Sequence, residues 1–141
     1  MKIAVITGEA PLKQWLSGKM PAGWECVEID EMEELDRHPD AGLIVDLSFV
    51  PGEGRIRQLS GLLPKPVMIN SMAYTCAEIG HPFIRINAWP GMVEREVHEI
   101  ALGGGDEEGR VFVDELYRQL GWKYRIVPDV PGMISGRILA V

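Results

Sequence analysis

The feature that most constrains the fold is an apolar strand centred near residue 45. Residues Ala41 to Val50 read AGLIVDLSFV, and Asp46 is the one charged residue among them. A strand with one face in water alternates apolar and polar residues, whereas a strand covered on both faces is apolar throughout. A sheet covered on both faces needs helices packed against each side. This run therefore predicts an α/β protein.

Short apolar runs and helical patterns alternate along the rest of the chain. Strands are predicted over Lys2–Ile6, Glu25–Ile29, Ala41–Val50, Val67–Asn70, Pro82–Trp89, Val97–Leu102 and Tyr124–Val127. Helices are predicted over Pro11–Leu16, Arg55–Leu63 and from the N-cap Asp106 to Leu120, with Val111, Leu116 and Leu120 towards the core. The alternation predicts one Rossmann-like, three-layer domain over residues 1–141, with a mainly parallel sheet and a short C-terminal helix.

Charge and composition exclude several classes of protein. The chain has 141 residues, 14 basic and 21 acidic, which gives a net charge of −7 at pH 7. An acidic chain without a Lys/Arg cluster is a poor candidate for nucleic-acid binding, because phosphate contacts supply most of that affinity. No apolar run approaches the roughly 20 residues of a membrane span. No signal peptide is recognisable, so we expect a cytoplasmic protein. No CxxC motif or His pair at ligand spacing is present, so no metal site is expected.

The stretch IAVITGEAPL, Ile3 to Leu12, is typical of the opening strand and turn of a nucleotide-binding domain. Its turn holds one glycine, Gly8, where a dinucleotide fingerprint has three. Asp30 closes the second predicted strand, roughly 20 residues further on, where such domains place the acid that binds a ribose. We therefore treat Gly8 and Asp30 as candidate ligand residues. The glycine-poor turn leaves open whether a dinucleotide still binds.

Several motifs resemble those of the 3-hydroxyacyl-CoA dehydrogenases. The segments AGLIVDLSF, VMINSMAYTCAEI and PFIRINAWPGMVEREVHEIALGGG are similar to successive strands of that family. The most specific piece is IVPDVPGMISGRILAV, which resembles the family's Asp-x-Pro-Gly-Phe-Ile-x-Asn-Arg signature. Five residues of this piece match the signature in place and order: Asp129, Pro131, Gly132, Ile134 and Arg137. The resemblance covers most of the chain.

The resemblance implies an NAD site and a catalytic pair. NAD would lie over Gly8, Asp30, Asp46, Leu47, Ser48, Asn70 and Ser71. The alignment places Asn87 on the family's catalytic histidine and Glu99 on the glutamate that orients it. An asparagine cannot act as a general base near neutral pH. His98 neighbours Glu99, but adjacent strand residues point to opposite faces, so we expect His98 to face away.

The chain departs from the family pattern in other places as well. Aligned on the first strand, the three family glycines fall on Thr7, Glu9 and Leu12. One βα unit is missing between Asp30 and Ala41. The chain also ends where the family's helical domain begins.

Three functions follow as alternatives. The resemblance implies, as the first, a divergent NAD-binding domain of the 3-hydroxyacyl-CoA dehydrogenase type, in which the catalytic His and the Gly-rich turn needed for dehydrogenase activity are missing. Alternatively, it is a non-catalytic descendant that binds a nucleotide, an acyl-CoA or a partner protein. A third reading is an enzyme of other chemistry around Asn70, Asn87 and Glu99.

The C-terminal segment, residues 131–141, is apolar with a single charge. An exposed apolar segment usually marks an interface. We therefore expect a homodimer that buries Met133 to Val141.

Overall fold

The computed structural model describes residues 2–71, 73–87, 97–103 and 107–133. Its strands are β1 (Lys2–Thr7), β2 (Trp24–Ile29), β3 (Leu43–Asp46), β4 (Val67–Asn70), β5 (Ile84–Ile86), β6 (Val97–Leu102) and β7 (Lys123–Ile126). Its helices are α1 (Ala10–Lys19), α2 (Glu53–Ser60), α3 (Cys76–Ile79) and α4 (Glu107–Leu120), and a 3₁₀ helix covers Met32–Arg37.

The strands form one seven-stranded sheet in the order β2-β1-β3-β4-β5-β6-β7. β1 pairs in parallel with β2 and β3, β3 with β4, and β6 with β7, whereas β5 and β6 are antiparallel. The predicted Rossmann-like fold with a mainly parallel sheet is therefore confirmed. Met133 lies in a helical turn, which agrees with the predicted short C-terminal helix.

The chain divides into two compact units, unit 1 over Met1–Ile69 and unit 2 over Asn70–Val141. In unit 1 the core is built on β1 and β3, in which Leu43, Ile44 and Val45 are all fully buried, as the apolar run predicts. Burial of each such side chain contributes about 1.5–3 kcal/mol. The prediction of a single domain over residues 1–141 stays a prediction.

In unit 2, the buried face of helix α4 agrees with the prediction at one residue and differs at another. Leu116 is buried as predicted, whereas Val111 is 64 % exposed, and Val113 and Tyr117 complete the buried face. The three buried residues follow the spacing of one helical face, i, i+3 and i+4, and Val111 lies outside it. The expectation for Val111 was wrong, because it rested on residue type rather than on the helical period.

Met133 is fully buried and clusters with Ala101 and Val127 of the same unit. Its side chain therefore cannot contribute to an interface with a second copy, contrary to the expectation for this residue. The rest of the expected dimer segment, residues 134–141, lies outside the described residues. Among the helices of the described ranges, none is both long and apolar enough to cross a bilayer.

Candidate functional site

The strand order of unit 1 creates a switch point between β1 and β3. The chain passes from β1 to β2 on one side and then returns to β3 on the other side of β1. In open α/β sheets, ligands bind at such a point, outside the carboxyl ends of the strands. The turn after β1 begins at Gly8, and β3 is followed by Leu47 and Ser48. The fold thus brings these predicted site residues to one edge of the sheet.

The turn after β1 lies directly against the turn after β3. Gly8 has a φ of 145°, and a Cβ atom added there would be 2.7 Å from Cβ of Leu47. The backbone N–H of Leu47 donates a hydrogen bond to the carbonyl oxygen of Thr7, 2.8 Å away. Glycine is therefore required at position 8, because both the backbone conformation and the close approach exclude a side chain.

Glu9 is the N-cap of α1, and its side chain turns outward. It is exposed and makes no capping hydrogen bond. Its backbone N–H instead donates to Oγ of Ser48 at 3.0 Å. Pro11, in the first turn of α1, has no N–H. The Glu9 carboxylate thus does not fill the turn, but two of the four backbone positions from Glu9 to Leu12 offer no available N–H to a phosphate.

Asp30 directly follows β2, and its carboxylate reaches solvent. Its side chain is 86 % exposed, and Oδ1 accepts a hydrogen bond from Nζ of Lys13 at 2.6 Å. Lys13 itself is buried in α1, and its Nζ also donates to the carbonyl oxygen of Ile29. The ammonium group therefore holds the carboxylate in one place while leaving it open to water. In dinucleotide-binding domains, an acidic residue at this position accepts hydrogen bonds from the hydroxyl groups of a ribose.

Asp46, the last residue of β3, is fully buried. Its Oδ1 accepts a hydrogen bond from the backbone N–H of Ser48 at 3.1 Å, and its Oδ2 lies 3.3 Å from Nη1 of Arg55 on α2. Desolvation raises the pKa of the Asp46 carboxyl, and Arg55 lowers it in part. Because Asp46 is enclosed and ion-paired, it supports the turn rather than presenting its carboxylate to a ligand.

The catalytic pair implied by the resemblance lies on β5 and β6 in unit 2. Ile86 pairs with Ile100 in the antiparallel register, so the next position places Asn87 opposite Glu99. Residues opposite each other on antiparallel strands project to the same face. Both side chains are buried, and Oδ1 of Asn87 has no hydrogen-bond partner within the described part of the chain. The fold brings the two residues together, and the resemblance aligns the Asn87 amide with the family's general base.

His98 points away from this face, as strand alternation predicts. Its Nδ1 lies 3.1 Å from the hydroxyl of Tyr117, and its ring packs edge-on against Trp122. His98 belongs to an aromatic cluster between β6 and α4. His98 therefore does not lie on the face that Asn87 and Glu99 share.

Asn70 and Ser71, the remaining predicted cofactor residues, end and follow β4. Asn70 is half-buried. Ser71 is buried, and its Oγ donates to the carbonyl oxygen of Tyr74 at 2.9 Å. The carbonyl oxygen of Ser71 accepts from Nε of Arg85. Ser71 thus has internal partners for both its hydroxyl and its carbonyl group.

Unit 2 also contains an ion pair that the sequence patterns did not indicate. Arg85 is fully buried on β5, and its Nη1 donates to Oδ1 of Asp129 at 2.8 Å and to the carbonyl oxygen of Val130. The Asp129 carboxylate also accepts the backbone N–H groups of Cys76 and Ala77 at the start of α3. In the sequence, Asp129 stands out because it matches the C-terminal motif. Arg85 could also have been noticed, because a charged residue inside an otherwise apolar strand needs a buried partner.

Comparison with known proteins identifies the fold. No family model and no curated protein matches the sequence. The (S)-3-hydroxybutyryl-CoA dehydrogenase PaaH1 from Ralstonia eutropha has a similar structure, with a TM-score of 0.74 and 12% identity over 99% of this chain and 68% of the enzyme. FadB2 from M. tuberculosis gives a TM-score of 0.66 at 12% identity over 98% of this chain and 67% of its own.

A third structure is described as 5-formyl-3-hydroxy-2-methylpyridine 4-carboxylic acid 5-dehydrogenase, an NAD⁺-dependent dismutase. It gives a TM-score of 0.68 at 15% identity over 99% of this chain and 62% of that enzyme. The chain thus spans about two thirds of these proteins or less. At such low identity the likeness concerns the fold alone. By structure, the chain resembles the 3-hydroxyacyl-CoA dehydrogenases and related NAD-dependent enzymes, as its motifs predict.

Proposed function

We propose that this chain is a divergent Rossmann domain that binds a nucleotide at the carboxyl ends of β1, β2 and β3. The observation that carries the proposal is the Asp30 carboxylate, which is held by buried Lys13 and remains 86 % exposed. The exposed side chain of Glu9 is compatible with the proposal, because it does not fill the turn after β1. Residues Asp46, Leu47 and Ser48 shape the other side of the switch point.

We further propose that the chain does not catalyse hydride transfer from a 3-hydroxyacyl thioester with its own residues. Asn87 stands opposite Glu99, and neither the amide nor His98 can serve as the base that such a reaction needs. Asn70, Ser71, Asn87 and Glu99 stay predicted site residues in unit 2. NAD is the cofactor that the similar dehydrogenases suggest, and we propose that Asp30 accepts hydrogen bonds from the hydroxyl groups of its adenosine ribose.

Thermal unfolding with ligands tests the proposal. NAD⁺, NADH, NADPH and acetoacetyl-CoA would each be added at millimolar concentration. A ligand at 100 times its dissociation constant adds about 2.7 kcal/mol to the free energy of unfolding, a shift of several degrees. We expect NAD⁺ or NADH to raise the midpoint and no NADH oxidation with acetoacetyl-CoA. Unchanged midpoints with all nucleotides would contradict nucleotide binding, and turnover would contradict the absence of catalysis.

A homodimer that uses residues 134–141 remains a second proposal, supported by the apolar composition of that segment. Light scattering at micromolar concentration tests it. We expect twice the monomer mass, and a monomer would contradict the proposal.

A further inference from the structure

Ser48 accepts a hydrogen bond at the switch point from the start of helix α1. Its Oγ accepts the backbone N–H of Glu9 at 3.0 Å, and this N–H is the first donor at the start of α1. A phosphate oxygen is also an acceptor, and helix N-termini bind phosphates through such N–H groups. The hydroxyl group of Ser48 therefore accepts, within the chain, the kind of backbone N–H hydrogen bond that a pyrophosphate accepts in a dinucleotide complex.

The charges around this turn also disfavour a pyrophosphate. Lys13 and Arg55 are each paired with a carboxylate that directly follows or ends a strand, Lys13 with Asp30 and Arg55 with Asp46. Glu9 adds an exposed carboxylate at the start of α1. Like charges placed close together repel one another, so a doubly charged pyrophosphate would meet a net negative edge.

The Asp30 carboxylate, by contrast, is largely exposed to solvent. Asp30 has one oxygen fixed by Lys13, and its side chain is 86 % exposed at the end of β2. Carboxylates accept hydrogen bonds from hydroxyl groups without requiring a charged ligand. The edge of unit 1 therefore keeps the feature that binds a nucleoside and has lost the features that bind its phosphates.

We propose that Ser48 determines the ligand class of unit 1, by closing the phosphate position so that the domain prefers a nucleoside without a pyrophosphate. This inference rests on the proposed nucleotide-binding function and narrows it. NAD would bind through its adenosine part and gain little from its phosphates.

Isothermal calorimetry with adenosine, ADP and NAD⁺ tests the inference on the unaltered protein. We expect adenosine to bind at least as tightly as ADP and NAD⁺. If NAD⁺ or ADP binds more than tenfold tighter than adenosine, the phosphate position is open and the inference is wrong, although nucleotide binding itself stands. If none of the three binds, both the inference and the proposed function fail.

Two variants sharpen the result. The double variant Ser48→Ala with Glu9→Gly returns the N–H to the ligand and removes the repelling carboxylate. We expect its affinity for ADP to rise about tenfold relative to adenosine, since a hydrogen bond to a charged group contributes enough for that factor. Ser60→Ala, at the end of α2, is the matched control and should leave the ranking unchanged. An unchanged ranking in the double variant would overturn the role of Ser48.

Discussion

Two aspartates, one in each unit, are paired with a buried cation, and they differ in what else surrounds them. In unit 1, Asp30 binds Lys13 and remains 86 % exposed. In unit 2, Asp129 binds Arg85, is 17 % exposed, and also accepts two backbone N–H groups of α3. The carboxylate at the end of β2 thus remains open to a ligand, whereas the carboxylate in unit 2 is occupied by contacts within the chain. Residual exposure, rather than the presence of charge, separates a candidate ligand group from a structural one.

The largest effect should come from removing the structural carboxylate. Asp129→Ala removes the carboxylate that forms the ion pair with buried Arg85 and that accepts two backbone N–H groups of α3. Breaking a buried ion pair by removing one partner costs about 3–5 kcal/mol. Urea unfolding should therefore show the loss, and a variant that fails to fold agrees with it.

Glu53→Ala is the control, because Glu53 and Arg57 form an ion pair that is exposed on both sides. Exposed pairs contribute about 0–1 kcal/mol. Equal losses for the two variants would show that Asp129 has no special structural role.

A smaller loss is expected at the turn of unit 1. Gly8→Ala would place a Cβ 2.7 Å from Cβ of Leu47 at a φ of 145°. Such strained backbone positions cost of order 1–3 kcal/mol. Gly54→Ala, in α2 with open space around it, should be neutral or stabilising. If Gly8→Ala unfolds at the same urea concentration as the parent protein, the two turns are not in contact as described.

A gain in stability is expected at Asn87. Its buried Oδ1 lacks a partner within the described ranges, and an unsatisfied polar group of this kind costs about 1–3 kcal/mol. Asn87→Leu should therefore raise the unfolding midpoint by a few degrees. Thr75→Val is the control, since Thr75 is buried but accepts the N–H of Glu78, and its loss should lower the midpoint. A lower midpoint for Asn87→Leu would mean that the amide has a structural partner.

Much of the fold could be predicted from the sequence because it rests on local patterns. The apolar run around β3 and the breaks at proline and glycine located the strands to within a few residues. On α4, Leu116 was correctly predicted to be buried, whereas Val111 was not, because it was judged by residue type rather than by the helical period. In the candidate site, Asp30 could be placed at the end of β2 by its spacing from Gly8.

The contacts that define the site could not be predicted, because they join residues far apart in the chain. The hydrogen bond from Glu9 to Ser48 spans 39 positions, and the bond from Arg85 to Asp129 spans 44. The helical and strand periodicities of a sequence do not indicate which distant residues form a hydrogen bond with each other. Only the register of β5 and β6 shows that Asn87 and Glu99 are opposite each other.

The most direct test of the distinction between the two aspartates is an NMR titration of adenosine into the parent protein and into Asp30→Asn. The variant keeps the size of the side chain and an oxygen that can accept the hydrogen bond from Lys13. Urea unfolding of both proteins checks that the variant remains folded. Asp40→Asn, another exposed aspartate of unit 1, is the control. We predict that adenosine shifts amide signals around the ends of β1 and β2 in the parent and control, and that Asp30→Asn loses these shifts while remaining folded. Undiminished binding by Asp30→Asn would contradict the account.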